Sequence, residues 1–371
     1  MDAPLISIII PLYNHEKFIR EAVLSVLNQQ VEDFELIIID DGSNDESADI
    51  VTAIPDRRIK FFSQSNQGAH RTINRGIKLA GGKYIAILNS DDIYHPDRLS
   101  RCLNYLEQNQ QIAAVFTQVE AIDETGEHLY YFQTTPPYEN KGFRSHPDQL
   151  IALDLLGKNL TTSTSNIFCR RQVFDEVGLF RKFRYCHDLD FLLRLVYHKH
   201  VRWIREPLLK YRFHHANTIM EDSALVCFEV ALILMDFINA GRLATTFPAS
   251  TDMSEKMAAL CHSLHFRCLD RTLAVLAALI QTEKNWPFVL EKLLSDPADP
   301  FRRACLEDIK KGLPEDLGQQ TRQEDNLHLR RIVEKLQQEN ECIRRSFSWR
   351  LARMLSAPGR KLLRFFGTSL P

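Results

Sequence analysis

Carboxylates gather at three places along the 371-residue chain: Asp40-Asp41-Gly42-Ser43, Ser90-Asp91-Asp92, and Asp188 within His187-Asp188-Leu189-Asp190. The first two follow apolar runs. Adjacent carboxylates at a strand end repel one another unless a cation or hydrogen-bond donors neutralise them, so Asp91-Asp92 points to Mg2+ or Mn2+ bridging to substrate phosphates. The competing reading is a pair that caps a turn. Asp188 precedes Leu189, Leu192, Leu193 and Val196, the spacing of an amphipathic helix. A helix N-cap, contributing about 1 kcal/mol, is the competing reading of it. Asp190 and Arg194, four apart, form a helix-surface ion pair, with or without a further part in the site.

These residues need elements to hold them, and the first half of the chain supplies a regular alternation. Leu5 to Asn14 is a short β-branched run closed by Pro11, as in a strand buried on both faces. Residues 16–29 place Phe18, Ile19, Ala22, Val23, Val26 and Leu27 at helical spacing. Strand patterns recur at Phe34–Ile39, Ile59–Phe62 and Tyr84–Leu88, and helical patterns at Asp45–Ile54 and Gly68–Ala80. This predicts parallel β-α-β units with right-handed crossovers. Ligands then bind beyond the carboxyl ends of the strands, where Asp40-Asp41 and Asp91-Asp92 fall. The chain lacks Gly-x-Gly-x-x-Gly after its first strand and any Gly-x-x-x-x-Gly-Lys-[Ser/Thr], so phosphate must be held another way.

Composition bounds the class. Hydrophobic residues make up 44% and charged residues 25%, as in soluble globular proteins, and a net charge of -2 gives no global push toward nucleic acid. The eight cysteines form no Cys-x-x-Cys pair and read as reduced thiols of a cytosolic protein. The N-terminal residues have no basic flank, so no signal peptide is expected. The longest apolar stretch, Ala224 to Ala240, carries Glu229 and Asp236, and no transmembrane segment is expected either.

Ser7-Ile-Ile-Ile-Pro-Leu-Tyr-Asn14, Ile38-Ile-Asp-Asp-Gly-Ser43 with Asp45, Asn66-Gln-Gly68 with Asn74 and Gly76, and Gly82 to Asp92 together resemble family 2 inverting glycosyltransferases, over residues 5 to about 218. The resemblance implies a GT-A fold, an α/β Rossmann-like nucleotide-diphospho-sugar domain, and a nucleotide-sugar donor, with UDP favoured because a carboxylate suits the imide N–H of uracil; thymine presents the same group and guanine an N1–H, so the base stays open. It implies that Pro11, Tyr13 and Asn14 line the nucleotide pocket and that Asp41 accepts from the base, while Asp40 shapes the turn. Asp91 then contacts the ribose and Asp92 holds Mg2+ or Mn2+ on the diphosphate, or the two share these roles. Asp188 is the general base, with His187 standing where the family has Glu. In Tyr211-Arg-Phe-His214, Arg212 or His214 contacts the diphosphate, or His214 completes the metal shell. The polar stretch Asn159 to Arg171 resembles the strand before the acceptor site, its hydroxyls meeting sugar or simply suiting a strand.

The sequence divides into a GT-A catalytic domain (1–218), a helical extension (219–315), and a linker, short coiled coil and basic tail (316–371). Helical patterns are clearest at Ala231–Phe237, Met257–Leu269 and Thr272–Ile280, in what reads as an appendage. Leu329, Val333, Leu336, Asn340, Ile343 and Phe347 form a heptad series, which fits a coiled-coil homodimer or an ordinary amphipathic helix. Beyond Glu341 basic residues interleave with Phe347, Trp349, Leu351, Phe365 and Phe366, an interfacial anchor for anionic lipid, or else a nucleic-acid contact or a solvated charge run. Ser346 to Leu351 resembles a C-terminal motif of bacterial surface-polysaccharide glycosyltransferases. The combined expectation is a cytoplasmic enzyme, peripheral on the inner membrane face. It acts on a glycan or lipid-linked acceptor, without nucleic acid. The alternative is a catalytically silent nucleotide-sugar-binding scaffold.

Overall fold

The computed structural model describes residues 3–132, 155, 159–215, 217–218, 221–240 and 285–312. Strands β1 (Ile6–Leu12), β2 (Phe34–Asp40), β3 (Ile59–Ser63) and β4 (Tyr84–Ile87) alternate with helices α1 (Ile19–Leu27), α2 (Ser47–Thr52) and α3 (Ala69–Leu79). β1 pairs in parallel with β2 and β4, and β2 with β3, as the alternation predicts. Every residue of β2 is buried, because helices cover both faces of a parallel sheet.

The second half adds β5 (Ile93–Tyr94), α4 (Arg98–Gln108), β6 (Ile112–Ile122), β7 (His128–Tyr131), a 3-10 turn (Thr164–Asn166), β8 (Phe168–Arg170), α5 (Val173–Val177), α6 (His187–His198) and β9 (His200–Arg212). The sheet order is β3-β2-β1-β4-β8-β6-β9-β5, with β7 on β6. β8 runs antiparallel between β4 and β6, so the sheet becomes mixed just past the strand that delivers Asp91-Asp92. That reversal opens the crevice.

One segment differs from the sequence-based expectation. Of Asn159 to Arg171 only Phe168–Arg170 is strand, because the hydroxyl-rich part turns inward to make hydrogen bonds. Val201–Ile204 and Pro207-Leu208-Leu209 belong to one long strand, β9. Its register against β6 slips between the Thr117–Ile204 and Gln118–Pro207 pairs, where proline brings no N–H to the ladder.

Residues alternate along each strand between two cores. Ile8, Ile10 and Ile38 pack with α1 and α4, while Ile9, Ile37 and Ile39 pack with α3 and α6. Gly76 of α3 exists for this contact, since a Cβ there would sit 2.4 Å from Ile9 Cγ2. The same core takes in α7 (Ser223–Asn239), α8 (Trp286–Ser295) and α9 (Pro300–Gly312) through Phe228, Leu232, Leu290 and Ile309. The described part of the extension is therefore packed into the α6 side of the sheet rather than appended to it. Patterns at 257–280, the heptad series and the basic tail lie outside the described residues. Cys102, Cys169, Cys186, Cys227 and Cys305 are thiols outside any disulfide, and no described helix is long and apolar enough to cross a membrane.

Candidate active site

The end of β2 builds the first wall. Asp40 accepts the Ser43 N–H at 3.1 Å and closes the turn; Gly42 has a left-handed φ of 81°, and a Cβ added there would also meet Asn66 N at 3.0 Å. Asp41 is buried and accepts from Gln64 Nε2 (2.6 Å), Gln67 N (2.9 Å) and Gly68 N (2.8 Å). A carboxylate offers about four acceptor positions, so one remains, on Oδ2. Asn14, with φ of 52°, ties the neighbouring loop in: its N–H donates to Ser43 Oγ and its Oδ1 accepts from Asn44 N. Pro11 sits opposite Ile39 near the end of β1, and Tyr13 beyond it is 43% exposed.

Beyond β4 the two adjacent carboxylates have separate environments. Asp91 Oδ2 lies 2.9 Å from His214 Nε2 and 4.0 Å from His15 Nε2. Ligand atoms of His15, Asp91 and His214 all fall within 4.8 Å of one another. Burial raises the Asp91 pKa, but the His214 hydrogen bond and the two imidazoles outweigh it and hold the group below the ordinary value. Burial lowers the His15 pKa, against the pull of Asp91, and so favours the ring form that has a lone pair to offer. Two imidazoles and a carboxylate form a donor set that fits a divalent cation, and of Mg2+ and Mn2+ the latter accepts nitrogen more readily.

Asp92, expected to hold the metal, is instead fully buried. Its Oδ2 accepts from Ser165 Oγ (2.5 Å) and Ser163 Oγ (3.4 Å), and its Oδ1 from Arg212 N (3.0 Å). Burial first, and the Asp91 charge second, push its carboxyl well above the usual range. The structure thus brings His214 together with Asp91 and not with Asp92. Arg212, expected at the diphosphate, is 1% exposed and already engaged. It donates to Asp91 O, Asp123 O, Glu124 O and Glu21 Oε2. It braces the Asp91-Asp92 turn from β9.

Asp188 stands in the first turn of α6, one residue inside the helix; the capping position belongs to Cys186. Its Oδ2 accepts from Asn159 Nδ2 and its Oδ1 from Leu189 N, both at 2.7 Å, and burial pushes its pKa up to about 6. His187 is buried and its pKa falls to about 4, so the neighbour of Asp188 is a neutral imidazole at physiological pH. Burial first, and then the charges of Asp92, Asp91 and Asp188, push the Tyr211 phenol well above its ordinary value. Asp190 is not on the surface. At 1% exposure it joins Arg194 and Arg181 in a buried ion network.

Sequence reasoning missed His15 and Asn159. His15 follows the Tyr13-Asn14 pair of the first motif, and an imidazole in a strand-end loop was the available signal. Asn159 had none, because its contact with Asp188 spans 29 residues.

The sequence pattern of the family described as glycosyl transferase family 2 matches residues 7–178. An uncharacterised glycosyltransferase of Methanocaldococcus jannaschii is 32% identical over 226 residues, covering 59% of this chain and 74% of the relative. One of Rickettsia typhi is 30% identical over 218 residues, 58% of this chain. The chain spans 66% of that relative's length. Among solved structures, S. aureus TarS 1–349 in complex with UDP-GlcNAc is similar with a TM-score of 0.53 at 16% identity, over 94% of this chain and 91% of that one. That likeness concerns the fold, which is of the GT-A type. The chain belongs to glycosyl transferase family 2.

Proposed function

We propose that this chain transfers a glycosyl group from a UDP-sugar to a hydroxyl of a glycan or lipid-linked acceptor with inversion, in surface polysaccharide synthesis. The observation that carries the reading is Asp188: a buried carboxyl whose pKa burial pushes up to about 6, held by Asn159 and Leu189. A general base works best with a pKa near the operating pH. Asp188 accepts the proton of the acceptor hydroxyl as that oxygen forms a bond to the anomeric carbon. The bond to the diphosphate oxygen breaks on the opposite face, so the configuration inverts. Asp41 offers its remaining Oδ2 position to the base N–H, with Tyr13 and Pro11 beside it. His15, Asp91 and His214 would hold Mn2+ or Mg2+, which supplies neutralisation of the departing diphosphate charge.

A panel of UDP-glucose, UDP-galactose and UDP-GlcNAc tests this by UDP release. At least one should be hydrolysed with Mn2+, and EDTA should stop it. UDP with Mn2+ should also raise the unfolding temperature more than either alone. No UDP-dependent shift and no UDP release from the panel would sink the donor assignment.

The basic aromatic tail supports placement on an anionic membrane face, and the heptad series a homodimer. Deleting residues 343–371 should abolish co-sedimentation with phosphatidylglycerol vesicles, and undiminished co-sedimentation would remove the anchor.

A further inference from the structure

Glu229 is a charged residue in the middle of the apolar helix α7, 4% exposed. Its Oε1 accepts the Arg184 N–H at 2.7 Å, and its Oε2 accepts those of Tyr185 and Cys186 at 2.9 and 3.0 Å. These are the consecutive amides that lead into α6, and Asp188 follows two residues later. Amides at a helix start have no partner within the helix, and a carboxylate there also complements the helix dipole. Burying a carboxylate is costly, yet the three amides compensate it with charge-assisted hydrogen bonds.

A second hold lies two helical turns along α7. Asp236 accepts Arg181 Nη2 at 2.8 Å and Trp286 Nε1 at 3.0 Å, and Arg181 also pairs with Asp190 of α6. At the near end Arg184 Nη2 reaches Glu221 at 2.6 Å. Segment 181–186, which leads into the helix that carries Asp188, is gripped by the extension at both of its ends. The nucleotide wall, built from β1, β2 and the 64–68 loop, takes no part in this grip.

We propose that Glu229 is a positioning residue: by binding the amides of Arg184, Tyr185 and Cys186 it sets where Asp188 stands, and α7 is a working part of the acceptor side. The proposal rests on Asp188 being the base. Glutamine at 229 keeps one acceptor oxygen but turns an NH2 toward amides that need an acceptor. Aspartate keeps both oxygens but withdraws them by a methylene.

The test uses the full chain with Glu229→Gln, Glu229→Asp and Asp188→Asn. Readouts are UDP release from whichever UDP-sugar the wild type turns over, UDP affinity by calorimetry with Mn2+, and hydrogen exchange of the 184–186 amides. A misplaced base should lower kcat of Glu229→Gln about 10- to 100-fold, with donor KM and UDP affinity within about threefold of wild type. The 184–186 amides should exchange faster, and Glu229→Asp should fall between the two. Unchanged kcat in Glu229→Gln, or UDP affinity falling in parallel with kcat, overturns the positioning role. If Glu229→Gln does not fold, unchanged kcat in Glu229→Asp overturns it instead. The two failures are separable: normal turnover in Asp188→Asn removes the base reading and this proposal with it. An inactive Asp188→Asn beside an unaffected Glu229→Gln removes the positioning role alone.

Discussion

Asp188→Asn is expected to lower turnover by about 10³-fold or more, with UDP affinity within about threefold of wild type. Asparagine preserves the shape and still accepts from Leu189 N, but it meets Asn159 Nδ2 with an NH2, so it removes proton acceptance and the Asn159 hydrogen bond together. The nucleotide contacts assigned to Asp41 and the β1 loop lie on another wall. Wild-type kcat should rise with pH through about 6, because a protonated Asp188 cannot take the acceptor's proton. A flat profile between pH 5 and 7, or residual turnover near wild type in the variant, would sink the base assignment.

The same substitution has an opposite effect on stability. The folded-state pKa of Asp188 is about 6 against an ordinary 3.8, so the native protein holds this proton more tightly than the unfolded chain. Wild type then loses stability as pH rises from about 4 to 6, up to about 3 kcal/mol, and the loss is complete above 6. Asparagine carries no charge to desolvate. Denaturant unfolding should find Asp188→Asn more stable than wild type at pH 7.5, with the difference vanishing near pH 4. A carboxyl held against its own solvation is what a base of useful pKa requires.

How much of this was legible in the residues differs from element to element. β1 to β4 and α1 to α3 follow from apolar runs and helical spacing, which are local signals; their observed bounds lie within a few residues of the expected ones. The α/β class was readable for the same reason. What a side chain touches across the fold was not. Helical spacing made Asp190 and Arg194 neighbours, but their burial depends on Arg181 and on α7, which no periodicity reveals. Ser163 and Ser165 read as strand or sugar-facing hydroxyls, yet they turn in to Asp92 over separations of 71 and 73 residues. Glu229 read only as a charge that interrupts an apolar stretch. Its meaning lies in amides 43 to 45 residues earlier.

The adjacent carboxylates of the β4 turn should respond unequally. Asp91→Asn is expected to lower metal-dependent turnover by about 10²-fold or more, whereas Asp92→Asn should lower it less than about tenfold. Asp91 presents its charge to two imidazoles, and an amide there removes the anionic member of the only His/Asp cluster of ligand geometry among the described residues. Asp92 faces hydroxyls and the Arg212 N–H in a fully buried position where the protonated form is favoured. Asparagine imitates that form: its oxygen accepts from Arg212 N, and its NH2 donates to Ser165 Oγ once that hydroxyl rotates. His15→Ala separates cation binding from turn architecture, since His15 meets the turn by side chain through Ser90 Oγ alone at hydrogen-bond distance. The Mn2+ concentration giving half-maximal UDP release should rise at least tenfold in Asp91→Asn and by about three- to tenfold in His15→Ala. In Asp92→Asn it should stay near the wild-type value. The reverse order, with Asp92→Asn requiring the most Mn2+, would return the metal to Asp92. It would also mean that the serines holding Asp92 orient a ligand.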